Sequence, residues 1–97
     1  MYTISAHINE NGKGSFTLEI KNKTIGLIKV DLEGNELKLL DTIVLVNRSL
    51  HLIGNLILQG VVEYARMHEL KIITLSKFTR EKFSSNPSLY IDVWEKA

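Results

Sequence analysis

The spacing of apolar residues changes about halfway along the chain, and this change constrains the fold more than any other feature. Apolar and polar residues alternate over positions 2–8 and again over 16–20. A two-residue period is typical of a strand with one buried face. From about Leu52 to His68 the apolar residues recur at helical spacing instead. Strands followed by one long helix predict an α+β domain.

Turn residues divide the first half into two hairpins. The first turn is Asn11-Gly12-Lys13-Gly14, and the polar connection Lys21-Asn22-Lys23 leads into the second hairpin. The arms of that hairpin run from Thr24 to Leu32 and from Glu36 to Val46. Between them lies Glu33-Gly34-Asn35, where Gly and Asn tolerate the positive φ of tight turns. Four consecutive strands predict an antiparallel meander.

The fourth strand shows little polar alternation from Leu37 to Val46. Such a pattern is expected where both faces of a strand are covered, so we expect this strand to be central. The helix that follows has one apolar face, formed by Ile53, Ile57, Val61 and Tyr64. A short strand from Leu70 to Leu75 is reached through this helical crossover, which predicts pairing parallel to the fourth strand.

The tail is predicted to be helical. One short helix is expected near Thr79 to Ser84. Another is expected after Asn86, which can cap it while Pro87 takes the first helical position. Its apolar side would be formed by Leu89, Tyr90, Val93 and Trp94. The sequence has no internal repeat or linker, so residues 1–97 are expected to form a single domain.

Composition disfavours several classes of function. The chain has no cysteine, which excludes disulfides and thiolate chemistry and fits a reducing cytoplasm. The N-terminal residues do not resemble a secretory signal, and no stretch approaches the ~20 apolar residues of a membrane span. A formal charge of +1 with scattered basic residues disfavours nucleic-acid binding. The histidines His7, His51 and His68 are widely separated, so no metal site is predicted.

The loop between the fourth strand and the long helix is a candidate anion site. A strand that enters a loop and then a helix N-terminus presents free N–H groups and the positive end of the helix dipole. The loop spans Val46 to Gly54, and Arg48 and His51 would add positive charge. The alternative is that Asn47 or Ser49 only caps the helix while Arg48 is solvated.

Three segments carry a resemblance to a known family. They are Leu40-Asp41-Thr42-Ile43-Val44, Ser49-Leu50-His51-Leu52-Ile53-Gly54 and Val61-Val62-Glu63-Tyr64-Ala65-Arg66. With the order of elements, they resemble the small bacterial branch of the GNAT superfamily of acetyl-coenzyme-A-dependent N-acetyltransferases. That branch has His-Thr-x-Val, a glycine-rich Arg-Gly-x-Gly-x-Gly/Ala loop and a helix ending near Ala-Arg. Its Cys-x-Tyr/Phe and Tyr-x-Asp steps correspond to Ser76-Lys77-Phe78 and Tyr90-Ile91-Asp92, so the resemblance covers nearly the whole chain.

The resemblance implies a GNAT-like fold, acetyl-CoA as co-substrate and a set of site residues. The implied cofactor-binding residues are Val44, Leu45, Val46, Arg48, Leu50, His51, Leu52, Gly54, Asn55 and Phe78. Asp41 occupies the position of the family histidine, which implies a proton acceptor, and Ser76 occupies that of the cysteine. Structural alternatives are a backbone-bonded or edge carboxylate for Asp41, a strand-end cap for Ser76 and a core position for Phe78.

The glycine-rich loop departs from the family pattern, because Leu50 and Leu52 occupy the positions of two glycines. If those positions require positive φ or close approach to pyrophosphate, each side chain costs roughly 1–2 kcal/mol. Together they would weaken cofactor binding by about one to three powers of ten.

Three functions remain open on the sequence. The first is a small N-acetyltransferase that modifies an amine, either a small molecule or a protein. The second is a CoA-binding or regulatory protein without turnover. The third is an interaction module that forms a homodimer through apolar residues of the altered loop or of the tail.

Overall fold

The computed structural model describes residues 1–95, which form one five-stranded sheet with helices packed against it. The elements are β1 (Thr3–Ile8), β2 (Lys13–Ile20), β3 (Lys23–Glu33), β4 (Glu36–Val44), α1 (Leu50–Met67), β5 (Lys71–Thr74), α2 (Lys77–Ser85) and a 3-10 turn (Pro87–Leu89). Strands β1 to β4 are antiparallel neighbours in chain order, and β5 pairs parallel to β4. The predicted α+β architecture is therefore confirmed. In the described part of the chain, no helix is long and apolar enough to cross a membrane.

Two tight turns set the register of the central hairpins. Lys21 and Asn22 adopt φ of 51° and 65° between β2 and β3. Gly34 adopts φ of 62° between β3 and β4, where Glu33 pairs with Glu36. Turn residues with positive φ match the twist of paired strands. These short turns therefore fix the strand register, which decides which side chains share a face.

Both helices pack on the same face of the sheet. Helix α1 comes so close to β3 that a Cβ on Gly26 would lie 2.7 Å from Cγ2 of Ile53. In the tail, the ring of Phe83 on α2 stacks on Tyr90 at 4.4 Å and meets Trp94 edge-on at 5.6 Å. The core between the sheet and the helices includes Phe16, Leu18, Ile28, Val30, Leu37, Leu39, Ile53, Ile57, Val61, Ile72 and Phe83.

The expectation that both faces of β4 are covered is wrong. Leu40 and Ile43 are half-buried, and Leu45 is 55% exposed. The apolar run in this strand has another cause, since the register between β3 and β4 shifts at a β-bulge between the pairs Ile28–Thr42 and Val30–Leu39. A bulge adds one residue and changes the alternation of side chains. The pattern of a doubly covered strand therefore appears on a strand with one open face.

The prediction of a second helix in the tail is also wrong, because the described part of the tail forms a 3-10 turn at Pro87–Leu89 in its place. Asn86 makes no side-chain capping bond. Beyond the turn, the backbone pairs with the free edge of β5, with Ile72 N donating to Val93 O at 2.6 Å and Glu95 N donating to Ile72 O at 2.9 Å. These long-range bonds replace the local ones that a helix would offer.

Arg66 at the end of α1 holds this tail segment. Its guanidinium donates to both carboxylate oxygens of Asp92, at 2.8 and 3.2 Å, and to the carbonyl of Leu89 at 2.6 Å. The hydrogen bond from Arg66 lowers the pKa of Asp92. A carboxyl with a lowered pKa stabilises the fold above its ordinary pKa, and that contribution is lost as the pH falls through the lowered value.

We therefore expect Asp92→Asn to flatten the dependence of Tm on pH below about pH 4, where an ordinary Asp carboxyl titrates. Thermal unfolding followed by circular dichroism between acidic and neutral pH measures this. Glu10→Gln, at the exposed turn after β1, is the matched control and should retain the wild-type curve. An Asp92→Asn curve parallel to the wild type would show that the ion pair adds no stability.

Candidate functional site

Strands β4 and β5 diverge and leave a crevice. They pair only between Glu36–Leu39 and Lys71–Thr74, and the last bond is from Leu75 N to Leu39 O at 3.0 Å. Beyond it, β4 continues along β3 to Val44, whereas the other chain turns into α2. We call the resulting space the β4–β5 crevice, bordered by residues 42–46 and the first turns of α1 and α2.

The register of β4 decides which main-chain groups face this crevice. Leu45 N donates to Ile25 O at 2.8 Å, so the backbone of Leu45 faces β3. Strand alternation then turns the main-chain groups of Val44 and Val46 away from β3. The carbonyl of Val46 accepts from Arg48 N at 2.8 Å in a tight turn. The three predicted main-chain positions are Val44, Leu45 and Val46. Leu45 bonds within the sheet and the Val46 carbonyl bonds within the turn, so the main-chain groups of Val44 are the most available to a ligand.

The N-terminus of α1 lies at the end of this strand edge. Ser49 caps the helix, since its Oγ accepts from Leu52 N at 3.3 Å and its carbonyl accepts from Ile53 N at 3.1 Å. The N–H groups of Leu50 and His51 have no intrahelical acceptor at such a position. The first turn carries no acidic side chain. The cap and the anion site are therefore compatible, and the positive end of an 18-residue helix stays available.

The leucines that replace the family glycines do not strain the loop. Among residues 1–95, positive φ occurs at Lys21, Asn22, Glu69, Gly12 and Gly34 and at no position of this loop. Leu50 and Leu52 are 40% and 55% exposed. The expected cost of positive φ at these two positions is therefore absent from this backbone.

Gly54 and Phe78 form a close contact between the two helices. A Cβ on Gly54 would lie 2.5 Å from Cζ of Phe78, and the Phe78 ring lies 5.7 Å from that of His51. The ring lines a cavity of about 500 Å³ between the helices. This cavity is lined by Leu50, His51, Lys77, Phe78, Glu81, Lys82 and Ser85. Asn55 instead lines a separate groove of about 460 Å³ with Gln59 and Arg66, so it lies outside the crevice.

We expect Gly54→Ala to destabilise the protein by about 1–3 kcal/mol, because the Phe78 ring must move to admit the methyl group. In a Phe78→Ala background the same change should become neutral or stabilising, since alanine favours a helix over glycine by about 1 kcal/mol. Urea unfolding of the four proteins measures the coupling. Equal effects of Gly54→Ala in both backgrounds would contradict the contact.

The two predicted catalytic side chains lie in different settings. Asp41 is exposed on β4 at the bulge and has no ion-pair partner within 4.0 Å among the described residues. Ser76 caps α2, accepting from Thr79 N at 3.3 Å and sharing a 2.8 Å hydrogen bond with Thr79 Oγ1. Asp41 is therefore free for chemistry, whereas the Ser76 hydroxyl already has partners.

Two residues at the crevice were not predicted from the sequence. Thr42 Oγ1 is buried without a hydrogen-bond partner in the described part of the chain. Lys77 begins α2 and lines the cavity beside the start of α1. Lys77 could have been proposed from the sequence, because it follows the strand predicted to pair parallel to β4. Ligands of parallel strands bind beyond the carboxyl ends of those strands.

Comparison with known proteins supports the same family as the sequence motifs. No family model matches the chain, and no curated protein matches it significantly. Among solved structures, it is similar to the solution NMR structure of a proposed GCN5-like N-acetyltransferase from Staphylococcus aureus. The two share 26% identity with a TM-score of 0.68, over 96% of this chain and 89% of that one. The likeness, the element order and the divergence of β4 from β5 identify this chain as a small GNAT-fold protein.

Proposed function

We propose that this chain is a small N-acetyltransferase that binds acetyl-CoA along β4 and transfers the acetyl group to a primary amine. The observation that carries the proposal is the β4–β5 crevice, where a free strand edge leads directly to a helix N-terminus. Such an edge can pair with the amide groups of a pantetheine arm, and the helix N-terminus suits a pyrophosphate. The solved structure of similar fold supports the same class of reaction.

The residues around the crevice fit this ligand. Thr42 Oγ1 is a buried polar atom without a partner among residues 1–95, and Thr42 lies on β4 beyond its last pair with β5. The main-chain groups of Val44 face away from β3 and can bind the amide-containing arm. The N–H groups of Leu50 and His51 can hold the pyrophosphate, with the exposed Arg48 and Lys77 as neighbouring cations. When bound, acetyl-CoA would supply an acyl thioester.

Acetyl transfer requires one proton acceptor on the protein or in solvent. An amine that binds as ammonium first releases one proton to solvent. The neutral amine nitrogen then attacks the thioester carbonyl, the C–N bond forms, the C–S bond breaks, and the sulfur leaves as a thiolate. The amine loses a proton, which Asp41 accepts directly or through a water, and the thiolate takes up a proton from solvent. Ser76 has no part in this scheme because its hydroxyl caps α2.

A CoA-binding protein without turnover is the second candidate. The placement of Ser76 favours it, because the site then has no side-chain donor for the departing thiolate among the predicted catalytic residues. Under this alternative, CoA binds in the crevice and acetylation of amines stays at the uncatalysed rate. For both candidates we propose the cytoplasm as the compartment, on the basis of the cysteine-free sequence.

Mapping of CoA binding by NMR tests the location of the site. With an ¹⁵N-labelled protein and free CoA, we expect the largest amide shifts at Val44, Val46, Leu50 and His51. The amides of β1, at the far edge of the sheet, provide the internal control and should not move. Shifts centred on the groove that Asn55 lines, or no shifts at millimolar CoA, would contradict the proposal.

A further inference from the structure

The face of the sheet opposite the helices carries an exposed apolar patch. Six apolar side chains lie on this face, on β3, β4 and β5 or directly after β4 and β5. Their orientation follows from the alternation of side chains along a strand, because the neighbouring residues contact α1. The six residues, the open-face patch, are Leu27, Leu40, Ile43, Leu45, Ile73 and Leu75. None of them belongs to the core cluster or packs against it. Leu45 and Leu75 are 55% and 52% exposed, and the other four are half-buried.

A free carboxylate lies within this patch. The bulge places Leu40 and Asp41 opposite Lys29, so that Asp41 joins the same face between Leu40 and Ile43. Two other acids on this face are neutralised, since Asp31 pairs with Lys13 and Glu33 with Lys38, each at 2.7 Å. Within the described residues, neither Lys29 nor any other cation lies within 4.0 Å of the Asp41 carboxylate. The patch therefore contains one carboxylate without an ion-pair partner among the described residues, flanked by Leu40 and Ile43 and opposite Lys29 on β3.

The size of the patch favours a small ligand over a second copy of the chain. With strands ~4.8 Å apart and same-face residues ~6.7 Å apart, six positions cover roughly 200 Å² of the sheet. A stable protein interface buries about 800 Å² on each partner. A second copy would have to cover the charged end of the face as well, where the ion pairs are already satisfied internally.

We infer that the acceptor is a small amphipathic primary amine, whose ammonium group binds at Asp41 and whose apolar body lies on the open-face patch. This inference rests on the proposed function, because it assigns the second substrate of the same site. Asp41 belongs to the segment of β4 that leads into the β4–β5 crevice. An amine held there lies beside the strand edge proposed to bind the thioester arm, and charge and apolar contact both select it.

Binding of simple amines tests the inference without acetyl-CoA. Hexylamine and ethanolamine are titrated into protein with labelled Ile and Leu methyl groups. We expect hexylamine to shift the methyl resonances of Leu40, Ile43 and Leu75. It should bind about tenfold more tightly than ethanolamine, because partial burial of the longer chain is worth about one power of ten.

Substitutions separate the charge from the apolar contact. Asp41→Asn and Leu75→Ser should each weaken hexylamine binding by about fivefold, as expected for an exposed ion pair and one partly covered side chain. Glu10→Gln and Ile91→Ser alter an exposed carboxylate and a 78% exposed apolar residue elsewhere, and they should change affinity by less than about twofold.

The other possible results distinguish the amine site from the CoA site and from a contact between two copies of the chain. Equal affinity for the two amines, or shifts away from the patch, would overturn the inference even if CoA binds in the crevice. Methyl shifts that depend on protein concentration without amine would show that a second copy covers the patch, which also overturns it. Hexylamine binding at the patch without any CoA binding would support the amine site and contradict the transferase function.

Discussion

Asp41→Asn should lower the rate of acetyl transfer by about a hundredfold or more, the usual contribution of a positioned proton acceptor. The substitution keeps the size and shape of the side chain and removes its charge. Because Asp41 faces away from α1 and makes no ion pair among the described residues, the fold and the affinity for CoA should not change. Release of the CoA thiol with hexylamine as acceptor measures the rate, and calorimetry measures the affinity.

A matched control separates proton transfer from simple loss of a charge. Glu10→Gln also removes an exposed carboxylate and should keep the wild-type rate. A rate for Asp41→Asn within about twofold of the wild type would exclude Asp41 as the proton acceptor.

Proline substitutions at neighbouring positions of β4 should have opposite effects. The N–H of Val44 faces the crevice, so Val44→Pro removes a donor from the ligand site without breaking the β3–β4 ladder. We expect its stability to stay within about 1 kcal/mol of the wild type and its affinity for CoA to fall about tenfold, the value of one hydrogen bond.

Leu45→Pro is the matched comparison, since the N–H of Leu45 donates to Ile25 O at 2.8 Å. Its loss removes a ladder bond and leaves an acceptor unpaired, which should cost at least about 2 kcal/mol. Urea unfolding and CoA titration of both variants test the assignment. Greater destabilisation by Val44→Pro than by Leu45→Pro would show that the alternation of β4 is the reverse of the one described.

Much of the fold could be predicted from periodicity. The change from a two-residue to a helical period gave the order of elements, and Gly34 marked a turn whose φ is indeed positive. The burial of β4 was harder to predict, because a strand covered on both faces and a bulged strand with one open face have the same run of apolar residues. The tail failed for a different reason, since Asn86 and Pro87 favour a helix locally while Trp94 pairs with β5.

The region of the candidate site could be predicted from the sequence, but not its geometry. The order of strand, loop and helix indicated the region from Leu39 to Arg66, whereas the crevice between β4 and β5 is visible only in the structure. Which backbone groups are free depends on the bulge at Leu40 and Asp41, and bulges leave little trace in a single sequence. The consequence of Leu50 and Leu52 depends on the φ of the loop, which residue identity alone does not determine. Asn55 lies on a side of α1 that lines another groove, and its residue identity did not indicate that position.

The most direct test of the acyl-CoA site is a calorimetric titration of the purified protein with acetyl-CoA and with free CoA. The proposed crevice predicts saturable binding of both ligands, weakened by Val44→Pro and by Arg48→Ala and unchanged in Glu10→Gln. No heat at millimolar concentrations of either ligand would contradict the proposed function, and the GNAT fold of this chain would then serve a role that needs no cofactor.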